Sequence, residues 1–196
     1  FAPVAFGQDY PAAIWDPAHA YNYTTASRTA SDIRWVVIHT TEDADGSDCS
    51  VTRTWFRTSN NALSTANNHQ GVSAHYVICR DGTVVQMVRD HDIAHHAGNL
   101  SYNQKSIGIE HERHDTSNWT EAQFQASVAL VKWLATQCNI QIVFPGVPSG
   151  IAPEFPSNGT GIIGHVQVPH PTNPSLPGGI SGKTDPKNWD WAHYQA

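Results

Sequence analysis

Continuous apolar runs along the chain predict strands that are buried on both faces. Residues 35–38 form one such run, which stops at His39. Residues 161–164 form a second short run, which stops at His165. A continuous, largely β-branched run is typical of a strand inside a sheet that is covered on both sides. Polar chemistry therefore follows the end of each of these two predicted strands.

A turn signal and an alternating pattern predict three further strands. Residues 74–80 and 83–88 flank an Asp-Gly pair, whose residues tolerate positive φ in a two-residue turn, so we expect a β-hairpin. Apolar positions alternate with other positions in residues 106–112. That alternation places Glu110 on the face opposite the isoleucine side chains of its strand.

Two helices are indicated by their start signals and by helical spacing. Ser50 is a candidate N-cap for a short amphipathic helix over residues 51–56. Thr120 and Gln123 have the spacing of a capping box, and apolar residues recur at helical spacing up to Cys138. Strands interleaved with helices predict an α/β fold, a single domain with a central mixed β-sheet flanked by helices.

The length and net charge of the chain limit the number of domains and the classes of binding partner that we expect. A chain of 196 residues is the size of one domain, with residues 1–33 expected as an irregular N-terminal arm and residues 34–196 as the folded domain. The net charge of −6, with only 11 Lys and Arg residues, provides no basic patch, so we expect no nucleic-acid partner. No run of apolar residues is long enough for a membrane span. We expect a monomer.

The three cysteines, Cys49, Cys79 and Cys138, are far apart and form no CxxC pair, which argues against a structural zinc ribbon. One disulfide with one spare thiol and three buried thiols both fit this spacing. The first residues carry neither a Met nor a basic segment, and lysines are few. These features favour a secreted protein that acts outside the cell.

The polar residues at the strand ends have the chemistry of a catalytic metal site. His39 and His165 follow rigid strands, which can bring distant ligands together. Lys183 and Asp185 are two residues apart, so an extended backbone would direct both to one place. Two imidazoles and one carboxylate form a known catalytic zinc set that leaves one position open. Glu110 can then accept a proton and the lysine can hold an oxyanion.

Structural interpretations compete with each of these assignments. His39 can be a core histidine bonded to backbone, Glu110 can pair with Arg113, and the lysine and aspartate can be a solvated loop pair. His165 and His170 form a rival ligand pair, although flanking prolines place His170 in a less rigid, extended loop. Spacing alone leaves these alternatives open.

Five motifs in a fixed order resemble those of the zinc amidases of the peptidoglycan-recognition-protein fold. The similarity runs from about residue 34 to residue 191. The motifs are WVVIHTT at 35–41, VSAHYVI at 72–78 with RDG at 80–82, HAGN at 96–99, SIGIE at 106–110, and IGH at 163–165 with KTDP at 183–186 and WDW at 189–191.

The resemblance implies an N-acetylmuramoyl-L-alanine amidase that uses Zn²⁺ and acts on peptidoglycan, with residues 34–196 as its catalytic domain. It implies that the metal is held by His39, His165 and Asp185, with Glu110 as the catalytic carboxylate and Lys183 stabilising the tetrahedral intermediate. The residues that it suggests for substrate binding are Thr40, Thr41, His75, His96 and Asn99.

The same fold also fits functions other than an amidase, and the chain differs from the family pattern at His95. Some members of this fold bind peptidoglycan without cutting it, and a stem-peptide endopeptidase or a deacetylase would use the same metal chemistry. A structural zinc is disfavoured because such sites usually close all four positions with Cys and His. Relatives commonly carry Trp where this chain has His95, which affects the shape of the expected groove.

Overall fold

The computed structural model describes residues 8–41, 49–59, 71–113, 119–148, 150–152 and 159–196. Its strands are β1 (Ile14–Trp15), β2 (Tyr23–Thr24), β3 (Trp35–Thr40), β4 (Tyr76–Ile78), β5 (Val84–Gln86), β6 (Ile93–Ala94), β7 (Ser106–His111), β8 (Gly161–Gly164), β9 (Pro169–His170) and β10 (Asn173–Pro177). Its α-helices are α1 (Ser50–Arg57), α2 (Leu100–Lys105), α3 (Glu121–Cys138) and α4 (Trp191–Gln195).

The central sheet has the strand order β1-β5-β4-β7-β3-β8. Strands β4, β7, β3 and β8 run parallel to one another, whereas β4 and β5 form an antiparallel pair. The turn between β4 and β5 contains Gly82, whose φ of +87° requires a residue without a side chain. The mixed sheet and the hairpin are therefore confirmed.

Both faces of the sheet are covered, which explains the continuous apolar runs. Along β3, Val36 and Ile38 point towards α3 and pack in one buried cluster with Leu130 and Leu134. Val37 points to the other face and belongs to a separate cluster beneath α2. Because burying a large aliphatic side chain contributes about 1.5–3 kcal/mol, the strand is stabilised from both sides.

The two predicted helices form, and one of their start signals needs correction. Helix α3 begins with the expected capping box, in which the Thr120 hydroxyl accepts a hydrogen bond from the Gln123 N–H at 3.1 Å. Helix α1 begins at Ser50, but its N-cap is Cys49, which adopts the left-handed conformation. Cys49 forms a disulfide with Cys79, just after β4, so its backbone is held from outside the helix. Of the two cysteine arrangements left open, one disulfide with one thiol is the one observed.

The N-terminal segment is largely irregular but is joined to the domain by backbone pairing. Strand β1 pairs with β5 at the edge of the sheet, and β2 pairs with β6. The Arg28 guanidinium donates hydrogen bonds to the carbonyls of Asp90, Asn103 and Ser106 at 2.8 to 3.1 Å. The division of the chain at residue 33 stays a prediction. No helix in the described ranges is long and apolar enough to cross a membrane.

Candidate metal centre and cleft

A cleft with a volume of about 420 Å³ opens where β3, β7 and β8 end. Ligands of open parallel sheets commonly bind beyond the carboxyl ends of strands. The predicted site residues that line this cleft are His39, Thr40, Thr41, His96, Glu110, His165, Lys183 and Asp185.

Three of these side chains form a compact buried cluster. His39 Nδ1 lies 3.1 Å from Asp185 Oδ2, and His165 Nδ1 lies 3.3 Å from Asp185 Oδ1. Only 2% of His39 and 6% of each of the other two residues is exposed. Their ligating atoms all lie within 4.8 Å of one another. The structure thus brings together residues that are far apart in sequence.

Strand register produces this convergence. His39 lies on β3 directly beside Glu110 of β7, so both side chains leave the sheet on the same face. Strand β8 pairs on the other side of β3 and delivers His165 next to its end. Asp185 arrives on a loop, whose position is set by a 2.8 Å hydrogen bond from the Val166 N–H to the Asp185 carbonyl.

The donor set fits a zinc ion. Burial lowers the pKa of His39 to about 4, so this imidazole is neutral at neutral pH and has a lone pair to offer. Burial alone would raise the pKa of Asp185, but hydrogen bonding, first of all with His165, outweighs it and holds that pKa below its ordinary range. Two imidazole nitrogens and an ionised carboxylate oxygen are ligands that suit Zn²⁺.

Two further groups face the same cleft from different elements. Glu110 is half-buried on β7, and Lys183 is exposed on the loop that also carries Asp185. The backbone N–H of Lys183 donates to the Gly178 carbonyl at 2.8 Å, which holds the start of this loop. A carboxylate and an ammonium therefore flank the cluster of potential ligands.

His96 lines the cleft, but its ring is engaged within the protein. His96 Nδ1 lies 3.0 Å from His39 Nε2, and His96 Nε2 lies 3.1 Å from the Ser106 hydroxyl oxygen. Burial, with a smaller contribution from His39, lowers the pKa of His96 well below its ordinary value. The ring is thus a neutral neighbour of the potential metal ligand His39.

The structure does not bring His75 and Asn99 to the cleft, although the family resemblance suggested them as substrate-binding residues. His75 is fully buried, and its Nδ1 accepts a hydrogen bond from the Gly108 N–H at 3.0 Å. Asn99 is the N-cap of α2 and donates to the Pro169 carbonyl at 2.9 Å. Both side chains hold elements of the fold together, and their role in substrate binding stays a prediction.

The rival ligand His170 lies outside the cluster of potential metal ligands. His170 is half-buried on β9, where its Nδ1 accepts a hydrogen bond from the Thr172 N–H at 3.2 Å. The Arg113 guanidinium donates to the Lys187 carbonyl at 2.5 Å and packs over the Trp119 ring. His170 is therefore not part of the metal cluster.

Sequence reasoning missed part of the cleft wall. Trp55 of α1 lines the cleft with 48% of its surface exposed, and the sequence did not identify it as a site residue. His95, which the family resemblance already placed at the groove, also lines the cleft, donating from Nδ1 to the Gly71 carbonyl and accepting from the Thr24 hydroxyl, each at 2.9 Å. A large aromatic residue on the exposed side of a short helix was the signal that could have identified Trp55.

Comparisons with known proteins agree with this geometry. The sequence profile of a family described as N-acetylmuramoyl-L-alanine amidase matches residues 29–188. The chain is 39% identical over 127 residues to N-acetylmuramoyl-L-alanine amidase A of Achromobacter lyticus, covering 63% of this chain and 62% of that protein. It is 33% identical over 135 residues to 1,6-anhydro-N-acetylmuramyl-L-alanine amidase AmpD of Citrobacter freundii, covering 65% and 58%. The match spans less than two thirds of either relative.

Solved structures show the same architecture. A selenomethionine derivative of AmpD superposes with a TM-score of 0.61 at 26% identity, covering 94% of this chain and 93% of that one. A mutant endolysin from Bacillus subtilis superposes with a TM-score of 0.60 at 18% identity, covering 93% and 95%. The latter likeness concerns the fold alone.

Proposed function

Because the chain belongs to the N-acetylmuramoyl-L-alanine amidase family, we propose that it hydrolyses the amide bond between the lactyl group of N-acetylmuramic acid and L-alanine in peptidoglycan. One observation carries this proposal: His39, His165 and Asp185 converge within 4.8 Å in a cleft that Glu110 and Lys183 also line. An open three-ligand site beside a proton acceptor and a cation is suited to attack on an amide.

His39, His165 and Asp185 hold the metal, which we propose to be zinc. When bound, zinc supplies Lewis acidity, polarising the scissile carbonyl and lowering the pKa of the attacking water. The ionised Asp185 carboxylate offsets part of the charge of the cation. Burial of the three side chains restricts their movement, so the site is pre-organised for the metal.

Glu110 accepts the proton of the attacking water and returns it to the leaving nitrogen. It fits this role because the β3–β7 register places it beside His39 on the cleft face. Lys183 stabilises the negative charge that develops on the carbonyl oxygen, since its exposed ammonium faces the same cleft. Thr40 and Thr41 extend the cleft wall next to His39 and contact the substrate.

We propose that the protein acts outside the cytoplasm, at the cell wall, and as a monomer. The disulfide between Cys49 and Cys79 supports an oxidising compartment, because glutathione and thioredoxin keep most cytosolic thiols reduced. The disulfide also fixes the N-cap of α1, the helix that contributes Trp55 to the cleft. An export signal in the encoding gene and light scattering of the purified protein test these two statements.

The test of the activity is digestion of purified peptidoglycan with the zinc-loaded protein, followed by mass spectrometry of the soluble products. We expect free stem peptides that begin with alanine and glycan chains with intact lactyl groups. Glu110→Gln is the matched control, because it keeps the side-chain shape and removes the proton acceptor. Cleavage within the stem peptide would instead indicate an endopeptidase, release of acetate a deacetylase, and uncut wall that retains the protein a binding module.

A further inference from the structure

A chain of buried hydrogen bonds leads from helix α2 to the potential metal ligand His39. It passes through Ser106 of the SIGIE motif and His96 of the HAGN motif, neither of which has a place in the proposed reaction steps. The distances are 2.6 Å from the Ser106 hydroxyl to the Tyr102 carbonyl, 3.1 Å from Ser106 to His96, and 3.0 Å from His96 to His39. Each step of this chain has a direction that elementary donor and acceptor chemistry determines.

The Ser106 hydroxyl donates its only proton in a hydrogen bond to the Tyr102 carbonyl. A carbonyl oxygen can only accept, and two oxygens 2.6 Å apart repel unless a proton lies between them. Tyr102 lies in the last turn of α2, where carbonyl groups run out of helical N–H partners. Ser106 is fully buried, so no water competes for its single proton.

The remaining proton positions follow from that hydrogen bond. Since the serine hydroxyl has no second proton, the oxygen of Ser106 must accept one from His96 Nε2. A neutral His96 then carries no proton on Nδ1, so His39 must donate from Nε2. A neutral His39 protonated at Nε2 has its free lone pair on Nδ1, the atom that lies 3.1 Å from the Asp185 carboxylate.

We propose that Ser106 and His96 are positioning residues that set the tautomer of His39, so that its Nδ1 presents a lone pair to the metal. The inference rests on the metal site of the proposed function and extends it to groups that do not touch the metal. The Nδ1 lone pair of His39 and the Asp185 carboxylate oxygen, 3.1 Å apart, repel each other. A cation bound between them would remove this repulsion. Metal-binding histidines generally donate the N–H of their other ring nitrogen to a hydrogen-bond acceptor within the protein, and here that acceptor is His96.

The backbone around His96 is shaped to keep its ring in this position. The N–H groups of His96 and Ala97 both donate to the Asn103 side-chain oxygen, at 3.2 and 2.8 Å. The ring lies against Gly108 of β7, where an added Cβ atom would lie 2.5 Å from the imidazole. Glycine at position 108 of the SIGIE motif is thus required for the ring of His96 to approach β7.

The first experiment reads the proton positions directly in the metal-free protein. Long-range ¹H–¹⁵N correlation spectra of histidine-labelled protein distinguish which ring nitrogen is protonated. We expect His39 and His96 both to be protonated at Nε2. A metal-free protein with His39 protonated at Nδ1 would overturn the proposal, and this reading requires neither a variant nor activity.

The second experiment measures the zinc dissociation constant by competition with a chromogenic chelator. We expect Ser106→Ala to weaken zinc binding by about 10–100-fold, the usual effect of losing such a partner. Gly108→Ala should weaken it similarly by displacing the ring. The matched control is Ser127→Ala, which removes another buried hydroxyl bonded to a histidine, His111 at 2.8 Å. Its zinc affinity should equal that of the wild type.

The outcomes separate this inference from the proposed function. Wild-type protein that fails to bind zinc would overturn the metal site itself. If Ser106→Ala and Gly108→Ala both bind zinc with the affinity of the wild type, only the role of the hydrogen-bond chain is overturned. Equal losses in Ser106→Ala and Ser127→Ala would show a general effect of a buried cavity and would also overturn it.

Discussion

Two buried histidines on neighbouring strands, His39 and His111, point to opposite faces of the sheet and end in different surroundings. Ring Nδ1 of His111 donates to the His39 carbonyl at 3.1 Å, and Nε2 accepts from the Ser127 hydroxyl at 2.8 Å. Ser127 in turn lies 2.8 Å from the Tyr194 hydroxyl. All the hydrogen-bonding atoms of this second ring are therefore satisfied within the protein.

The comparison shows that burial does not distinguish a functional histidine from a structural one. Burial lowers the pKa of His111 to about 3 and that of His39 to about 4, so both rings are neutral. The difference is the direction of hydrogen bonding, because the network of His111 uses both of its ring nitrogens. In the proposed network of His39, one lone pair remains and faces the cleft.

The largest expected effect comes from removing a ligand on the cleft face. His165→Ala leaves one imidazole and one carboxylate, too few for a catalytic zinc site, so both zinc and hydrolysis should be lost. Zinc content by mass spectrometry and product release from peptidoglycan measure the two properties. The comparison would fail if His165→Ala kept full metal and activity, or if His111→Ala lost zinc while remaining folded.

Glu110→Gln should separate chemistry from metal binding on the same face. Turnover is expected to fall by about 10²–10⁴-fold, the contribution of a general acid–base group, while zinc content stays at the wild-type level. Steady-state kinetics with a soluble muropeptide, together with a zinc assay on the same sample, provide the measurement. Loss of zinc in this variant would assign Glu110 to the ligand set.

On the opposite face, a substitution should change stability without changing the chemistry. Leu134 is fully buried in the cluster beneath α3, so Leu134→Ala should lower the free energy of unfolding by about 2–5 kcal/mol. Activity per folded molecule should remain that of the wild type. Denaturant unfolding and titration of active sites provide the two values, and a large fall in turnover would show that the faces are coupled.

The smallest effect is expected at the far end of the His111 network. Tyr194→Phe removes the hydroxyl next to Ser127 and should lower the free energy of unfolding by about 1 kcal/mol, the usual net contribution of one hydrogen bond. Zinc affinity should not change. A weaker zinc site in this variant would show that the network of His111 also acts on the metal ligands.

Local patterns predicted most of the fold because they report local physics. The run at residues 35–38, the Asp-Gly turn and the capping box of Thr120 each depend on neighbours within a few residues. The N-cap of α1 was misassigned because it depends on a disulfide to Cys79, a residue distant in sequence. Long-range constraints of this kind leave no local signal.

The sequence by itself determined five strands of the central sheet, the helices α1 and α3, and the residue types at the ends of β3 and β8, because periodicity and turn chemistry depend on neighbouring positions. The short strands outside these runs and the helices α2 and α4 were not predicted. Only the tertiary structure decided which histidines contact Asp185 and which form hydrogen bonds only within the protein interior. Four histidines have the same side chain and are all buried, namely His39, His75, His96 and His111. Their roles differ because strand register and packing decide whether both ring nitrogens find partners inside the protein or one is left to face the cleft.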